Sequence, residues 1–532
     1  MIGSSVLRKK LQNIKPQHDT PIGILHPYWA RKPLNVIDAI IQGLSNKGDV
    51  VLDPFVGSGT TAYSAVANKR KVVASDLSPL SFFLTKSSLE LSNLCEEDLD
   101  KVLLFFDEVF EDIKPWYVCN SDYIIERERY CVAGQYANGK FTLNLSEIVA
   151  KKIIKSKYTG RTVFTPKDID LKGLKGINKY LNSPIDFHEH LLLKNSRIAI
   201  PEGARLSHYF TKKNRASINL MMAKLSKSRL NKKIKDAIRL LISSSLPLLR
   251  LSDKKASSQW PYWRPKNELT SRNPIFVLRK KLKKFHEAVH WSQEELGILN
   301  IGSTPDKVIK NKESNQAAIF SSAVQDISNH GVNKNSVDLI LTDPPYSDHA
   351  PYLEYSNLWN KILKLSSNKK LYRKEIVKTD CPERIQDTNQ YLIRLEKGIS
   401  TCCEVLKSNG YFAFFYQDKE IIHWAEIGNC LTDNGMTIED VIPIPKQRRS
   451  MKTVASPGKT FDGDLLVVCV KKKNKIRNTK YNIEEELVRI QNNFTEKTSY
   501  FEKYAVIIRE GLVSGWLDEL SKKYKYSSEL FD

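Results

Sequence analysis

The stretch Val50-Val51-Leu52-Asp53-Pro54-Phe55-Val56-Gly57-Ser58-Gly59-Thr60-Thr61 confines this chain to few folds. A short apolar strand runs into an acid, then a turn with two glycines, then a helix predicted over Thr60–Asn68. Gly57 and Gly59 permit a tight turn and let a ligand approach the backbone. No lysine follows the second glycine, so the turn is neither a phosphate loop nor the dinucleotide fingerprint. Three more segments, Lys71–Asp76, Ala318–Asp326 and Val337–Asp343, read as strands ending on an acid. Singly, each acid suits a helix N-cap equally well. Together they suit the ligand-binding rim of a mainly parallel sheet, where strands present their carboxyl ends.

The last of these strands closes on Asp343-Pro344-Pro345-Tyr346. A planar exocyclic amine is a poor nucleophile because its lone pair is delocalised into the ring. A carboxylate at Asp343 and a carbonyl at Pro344, held by the rigid proline pair, can accept its two N–H bonds. Tyr346 offers a flat face on which an extruded base can stack. Without the glycine turn, two prolines after a strand are an ordinary strand terminator.

With both motifs present, the chain resembles the amino-group DNA methyltransferases that use S-adenosylmethionine. DPFVGSGTT (53–61) looks like their cofactor motif and DPPY (343–346) like their catalytic motif. His26-Pro27-Tyr28-Trp29-Ala30-Arg31-Lys32-Pro33 resembles the segment that closes over the cofactor's methionine end. Ser347–Trp359 is similar to a stretch in large bacterial adenine-specific methylases with a central insert. The likeness covers residues 20–90 and 315–472. It implies an α/β, Rossmann-like methyltransferase fold with a mostly parallel seven-stranded sheet and one antiparallel strand. It implies cofactor contacts at Tyr28, Trp29, Asp53, Pro54, Phe55, Gly57, Gly59, Thr60, Asp76, Leu77 and Asp326. Asp343, Pro344, Pro345 and Tyr346 carry over as catalytic, with no metal. The aspartate form of the motif is typical of adenine-N6 enzymes and the serine form commoner for cytosine-N4. Adenine is therefore expected, with cytosine-N4, RNA guanine-N2 and a non-catalytic DNA-binding subunit as alternatives. One departure is that some large relatives carry a zinc ribbon in the insert, whereas no paired CxxC occurs here.

The eight cysteines are scattered, as expected of a reduced cytosolic protein. Neither a signal peptide nor a membrane span of about 20 apolar residues is predicted. Formal net charge is +23, and residues 211–290 hold 21 Lys and Arg against 4 Asp and Glu. Interleaved with these lie Tyr209, Phe210, Trp260, Tyr262, Trp263, Phe276 and Phe285, a pattern that suits double-stranded DNA. The expected domains are a cofactor part (1–90), an inserted target-recognition domain (91–315), a catalytic part (316–472) and a helical extension (473–532). Any restriction endonuclease or defence-system subunit is expected on a separate chain. The basic loop Pro443–Asp462 reads either as a plain connection or as a phosphate contact.

Overall fold

The computed structural model describes residues 4–531, except 18, 30, 121, 138–139, 169–175, 190, 194–199, 201–202, 254–266, 348–350, 366–368, 383, 446–460, 462 and 473–480. Side chains of 134–141 are likewise outside the description, as are the Trp260–Pro265 segment and nearly all of the Pro443–Asp462 loop.

The main sheet has eight strands: β1 (Val50–Asp53), β2 (Lys71–Asp76), β3 (Asn300–Ile301), β4 (Gln316–Ser321), β5 (Val337–Thr342), β6 (Leu406–Tyr416), β7 (Met436–Pro445) and β8 (Gly463–Lys471). Their order is β7-β8-β6-β5-β1-β2-β4-β3, and only β8 runs against the rest. The strand beyond the expected seven is the two-residue β3 at the edge. Alternate residues face opposite cores, as a strand's period of two requires. Val50 and Leu52 enter one cluster and Val51 the other. From β1 the chain builds outward through β2 and β4 on one side, and through β5 and β6 on the other. The β1/β5 junction is thus a topological switch point, where a crevice opens beyond the strand ends.

The strand expected over Ala318–Asp326 stops at Ser321. Val324 and Ile327 are both buried, three residues apart, and that spacing suits the 3-10 helix Val324–His330 that follows. Asp326 therefore lies in a helical first turn, not at a strand end.

The central region contributes a second sheet. Tyr123–Ala137, Lys140–Ile154 and Lys157–Phe164 form a meander, and Glu268–Arg272 pairs back onto its first strand. Helices Lys212–Lys227 and Lys232–Leu249 bury Ile218, Met221, Ile238 and Leu241 in one cluster with Leu25, Leu80, Leu84 and Trp359. The region expected to form an inserted domain thus shares one core with residues on both sides of it in the chain. Its aromatics correct the stacking expectation: Tyr209, Phe210 and Phe285 are core residues, and Phe276 packs edge-on against Tyr158. Helices Tyr500–Ser514 and Leu517–Lys523 pack into the cluster that Val50 and Leu52 of β1 enter. Tyr504 anchors them by accepting from Trp424 Nε1 at 2.6 Å and donating to the Asp418 carbonyl.

Candidate active site

At the β1/β5 crevice lies a cavity of about 910 Å3 of empty space, its open mouth included. Its walls come from the turn after β1, the end of β2, the segment around Tyr28 and the end of β5, together with Ala323–Gln325 after β4, Tyr352, Leu353, Lys374–Ile376 and Phe415.

The glycine turn is built for closeness. Gly57 (φ +54°) sits under the Tyr28 ring, where an added Cβ would lie 3.1 Å from the ring. Gly59 (φ +89°) faces Tyr63, with only 2.7 Å between such a Cβ and the phenol oxygen. Positive φ favours glycine at both positions, and at Gly59 the closeness of Tyr63 adds a steric reason. Asp76 Oδ2 accepts from Gly57 N at 2.9 Å and Oδ1 from Ser78 N at 2.7 Å, joining the end of β2 to the turn. Asp53 Oδ1 accepts from Thr342 Oγ1 at 2.6 Å and Phe55 N at 3.0 Å, joining β1 to β5. Burial outweighs these bonds and pushes the Asp53 carboxyl up to about 7 and the Asp76 carboxyl to about 6.

The segment carrying Tyr28 and Trp29 is held by the insert. His26 Nε2 meets Ser243 Oγ at 2.7 Å, and Trp359 Nε1 donates to the Ser243 carbonyl at 3.1 Å. The Tyr28 ring stacks 6.4 Å from that of Tyr352, and Trp29 packs edge-on against Trp359.

Asp343 closes the far side. Tyr346 donates its hydroxyl to Asp343 Oδ1, and Lys32 Nζ lies 3.3 Å from Oδ2. Burial raises the Asp343 carboxyl and Lys32 opposes that rise. The Pro345 carbonyl accepts from Tyr391 Oη at 3.3 Å, and Tyr391 in turn meets Tyr416 Oη at 3.0 Å. A buried tyrosine pair thus supports the proline loop from behind.

Of the residues expected from sequence, Tyr28, Trp29, Asp53, Pro54, Phe55, Gly57, Thr60, Asp76, Leu77, Asp343 and Pro345 line this one cavity. Gly59, in the same turn, faces Tyr63 and does not line the cavity. Pro344 lines a small apolar pocket on the other side of the loop, with Leu395 and Phe412. Tyr346 packs edge-on against Tyr416, 5.5 Å between centroids, rather than lining the cavity. Asp326 also stands apart from it: its carboxylate pairs with Lys374 at 2.6 Å, and the neighbouring Gln325 faces the cavity instead. Gln325 Nε2 donates to the Lys374 carbonyl at 3.3 Å, while its buried Oε1 has no hydrogen-bond partner among the described residues. Lys32 and Tyr352 lie inside stretches that carry the family resemblance but are not among the expected site residues, and Gln325, Glu375 and Phe415 carry no local motif. Among the described residues no group of three or more His, Cys, Asp and Glu could hold a metal ion, and no helix is long and apolar enough to cross a membrane.

Sequence comparisons agree with this geometry. The profile of a family described as DNA methylase matches residues 5–82 and 337–529, the two stretches that meet at the cavity. The chain is 22% identical over 337 residues to the Type II methyltransferase M.MjaII of Methanocaldococcus jannaschii, covering 62% of this chain and 60% of that protein. It is 30% identical over 102 residues to the Type II methyltransferase M.HpaI of Haemophilus parainfluenzae, covering 19% and 29%. A 57-residue match to the orphan methyltransferase M.BamHII of Bacillus amyloliquefaciens reaches 44% identity, covering 11% and 21%. The chain spans less than two thirds of the length of each of these relatives.

Proposed function

The chain belongs to the DNA methylase family, and from that premise we propose that it transfers a methyl group from S-adenosylmethionine to the N6 amine of an adenine flipped out of double-stranded DNA. The observation that carries the proposal is the single cavity shared by the Gly57 turn and Asp343. The aspartate of DPPY favours adenine over cytosine. Nucleoside analysis of DNA digested after incubation with the chain and cofactor tests this: N6-methyladenine is expected, and N4-methylcytosine alone overturns the base assignment.

The residues present fit the cofactor. Asp53 offers a carboxylate to a cationic amine and Asp76 one to ribose hydroxyls. Gln325 Oε1 is an acceptor still to be satisfied, placed for an amino group on a purine edge. Tyr28 closes over the glycine turn. When bound, S-adenosylmethionine supplies a methyl group already activated by its sulfonium. The chain's own work is positioning and electrostatics. Asp343 and the Pro344 carbonyl accept the amine's two N–H bonds, so its lone pair is freed from the ring, and the buried tyrosines keep the proline loop from yielding.

Cofactor affinity should depend on pH with a definite sign. A carboxylate raised to about 7 is ionised only above that pH, and it is the ionised form that holds a cationic amine. Affinity for S-adenosylhomocysteine is therefore expected to be full above pH 7.5 and to drop by more than about tenfold by pH 5.5, with Asp76 adding to the loss below 6. Calorimetric titration across that range checks it, and a flat profile would remove Asp53 from the amine site.

The basic insert divides into two sets of cations. Lys213 bonds Glu128 at 2.8 Å and Lys281 donates to the Leu25 carbonyl at 2.6 Å; with Arg215 and Arg250 these are buried and serve the fold. Arg279, Lys280, Lys283 and Lys284 are exposed on helix Pro274–Leu296. That helix packs on the turn bearing exposed Lys155 and Lys157 through Phe276 and Tyr158, with Arg279 5.2 Å from the Tyr158 ring. Two basic segments distant in sequence thus form one ridge for DNA phosphates. Replacing Lys280, Lys283 and Lys284 together by Glu is expected to weaken duplex binding by more than about tenfold and to lower its salt slope by about three. An unchanged slope removes the ridge from the interface.

A further inference from the structure

Both oxygens of Asp343 are already engaged: Tyr346 donates to Oδ1 and Lys32 lies at Oδ2. An incoming amine has N–H bonds to give to the same oxygens, so at least one of these donors must yield before a base can be held there. Lys32 has somewhere to go. Its Nζ donates to Asp464 Oδ2 at 3.0 Å, shorter than the 3.3 Å to Asp343, and to Tyr346 Oη at 3.2 Å. The ammonium also lies 4.7 Å from the Phe415 ring centre and 5.5 Å from that of Tyr346. The backbone around it is pinned: Arg31 Nε donates to Ser58 Oγ at 3.1 Å, and Pro33 leads directly into helix Leu34–Leu44. Lys32, Asp343 and Asp464 come from positions up to 432 residues apart, and each side chain is less than a quarter exposed.

We infer that Lys32 is a displaceable clamp: it holds the Asp343 carboxylate aimed and compensated while no base is present, and shifts onto Asp464 when the target amine takes its place. The inference rests on reading this site as an amino-methyltransferase centre. Lys32 is a positioning residue in this scheme, since it acts through Asp343. A neutral amine can neither charge nor compensate a half-buried carboxylate as an ammonium can, so something else must keep Asp343 ionised until it arrives. Among the described residues, the groups facing Asp343 are Lys32, Tyr346, Asp464 on β8 and Tyr352 on the following helix, with Arg31, Lys374, Glu375, Asp53 and Asp76 across the same cavity. Lys32 is the cation in contact with it. Removing Lys32 leaves two carboxylates near each other, and removing Asp464 leaves Lys32 with one carboxylate partner instead of two.

The two removals pull in opposite directions, and this makes the inference testable. Methyl transfer to duplex DNA is followed across pH 5–9 for the full chain and for Lys32→Met, Lys32→Arg and Asp464→Asn, with thermal melting as the control on folding. Lys32→Met is expected to lower kcat by about thirtyfold and to move the acid limb of the profile up by about one pH unit, and Lys32→Arg to return the limb toward its original place. Asp464→Asn is expected to move the limb down and to raise KM for DNA, because the clamp then competes harder with the base. A limb that stays in place in Lys32→Met, whatever the rate, assigns Lys32 a purely structural role and overturns the inference. A wild-type chain that methylates no nucleic acid overturns the reading of the site instead, and the inference with it.

Discussion

Asp343→Ala is expected to lower methyl transfer by about a thousandfold, while S-adenosylhomocysteine binding stays within about threefold of wild type. The carboxylate is the group at this end of the cavity that can accept an N–H bond with full charge, so its loss falls on the step that needs the amine localised. In the function proposed above, cofactor affinity rests on Asp53, Asp76 and the glycine turn at the other end. The fold is not threatened, because Lys32 keeps Asp464 as its partner at 3.0 Å. Asp343→Asn keeps an acceptor oxygen without the charge and is expected to retain more activity than the alanine variant. Tritiated methyl transfer under single-turnover conditions measures each. Wild-type rates in Asp343→Ala would show that the amine is held elsewhere.

Arg384→Met is the substitution expected to cost most in stability, about 3–5 kcal/mol. Arg384 is almost fully buried between Glu354 and Glu375, with its guanidinium 2.5 Å from one Glu375 oxygen and bonded to both oxygens of Glu354. Glu375 Oε1 also accepts from Leu353 N at 3.2 Å. This triad fastens the stretch Lys374–Ile376, part of the cavity wall, to the start of helix Tyr352–Ile362. Taking out the guanidinium leaves two carboxylates facing each other away from water; burial already raises the Glu375 carboxyl despite Arg384. Urea unfolding measures the cost through the shift in midpoint at constant slope. Adding Glu354→Gln to Arg384→Met should recover part of the loss, since one unpaired charge disappears. A midpoint shift worth less than about 1 kcal/mol would mean that water reaches the triad.

How far the site was legible depended on the reach of each signal. The Asp53–Thr61 turn could be read because its meaning is local: the acid, the two positive-φ glycines and the helix start all lie within nine residues. Val337–Tyr346 is similar, with an apolar run meeting a proline pair. Asp326 misled because an acid eight residues beyond Ala318 looks like a strand end, whereas the burial of Val324 and Ile327 tightens the chain into a 3-10 turn first. The aromatics of the insert misled for a related reason. Interleaving with cations is visible in sequence, but burial is not, and Tyr209, Phe210 and Phe285 belong to the core.

By itself, the amino-acid order determined the strand and helix periods, the sharp turn at Gly57 and Gly59, and the chemistry available at the ends of β1, β2 and β5, because backbone sterics and hydrophobic period act over a few residues. Tertiary structure alone decided that Lys32 stands between Asp343 and Asp464, that Gln325 rather than Asp326 faces the cavity, and which cations of the insert reach solvent. Those outcomes depend on packing between segments hundreds of residues apart, and no short window of sequence contains both partners.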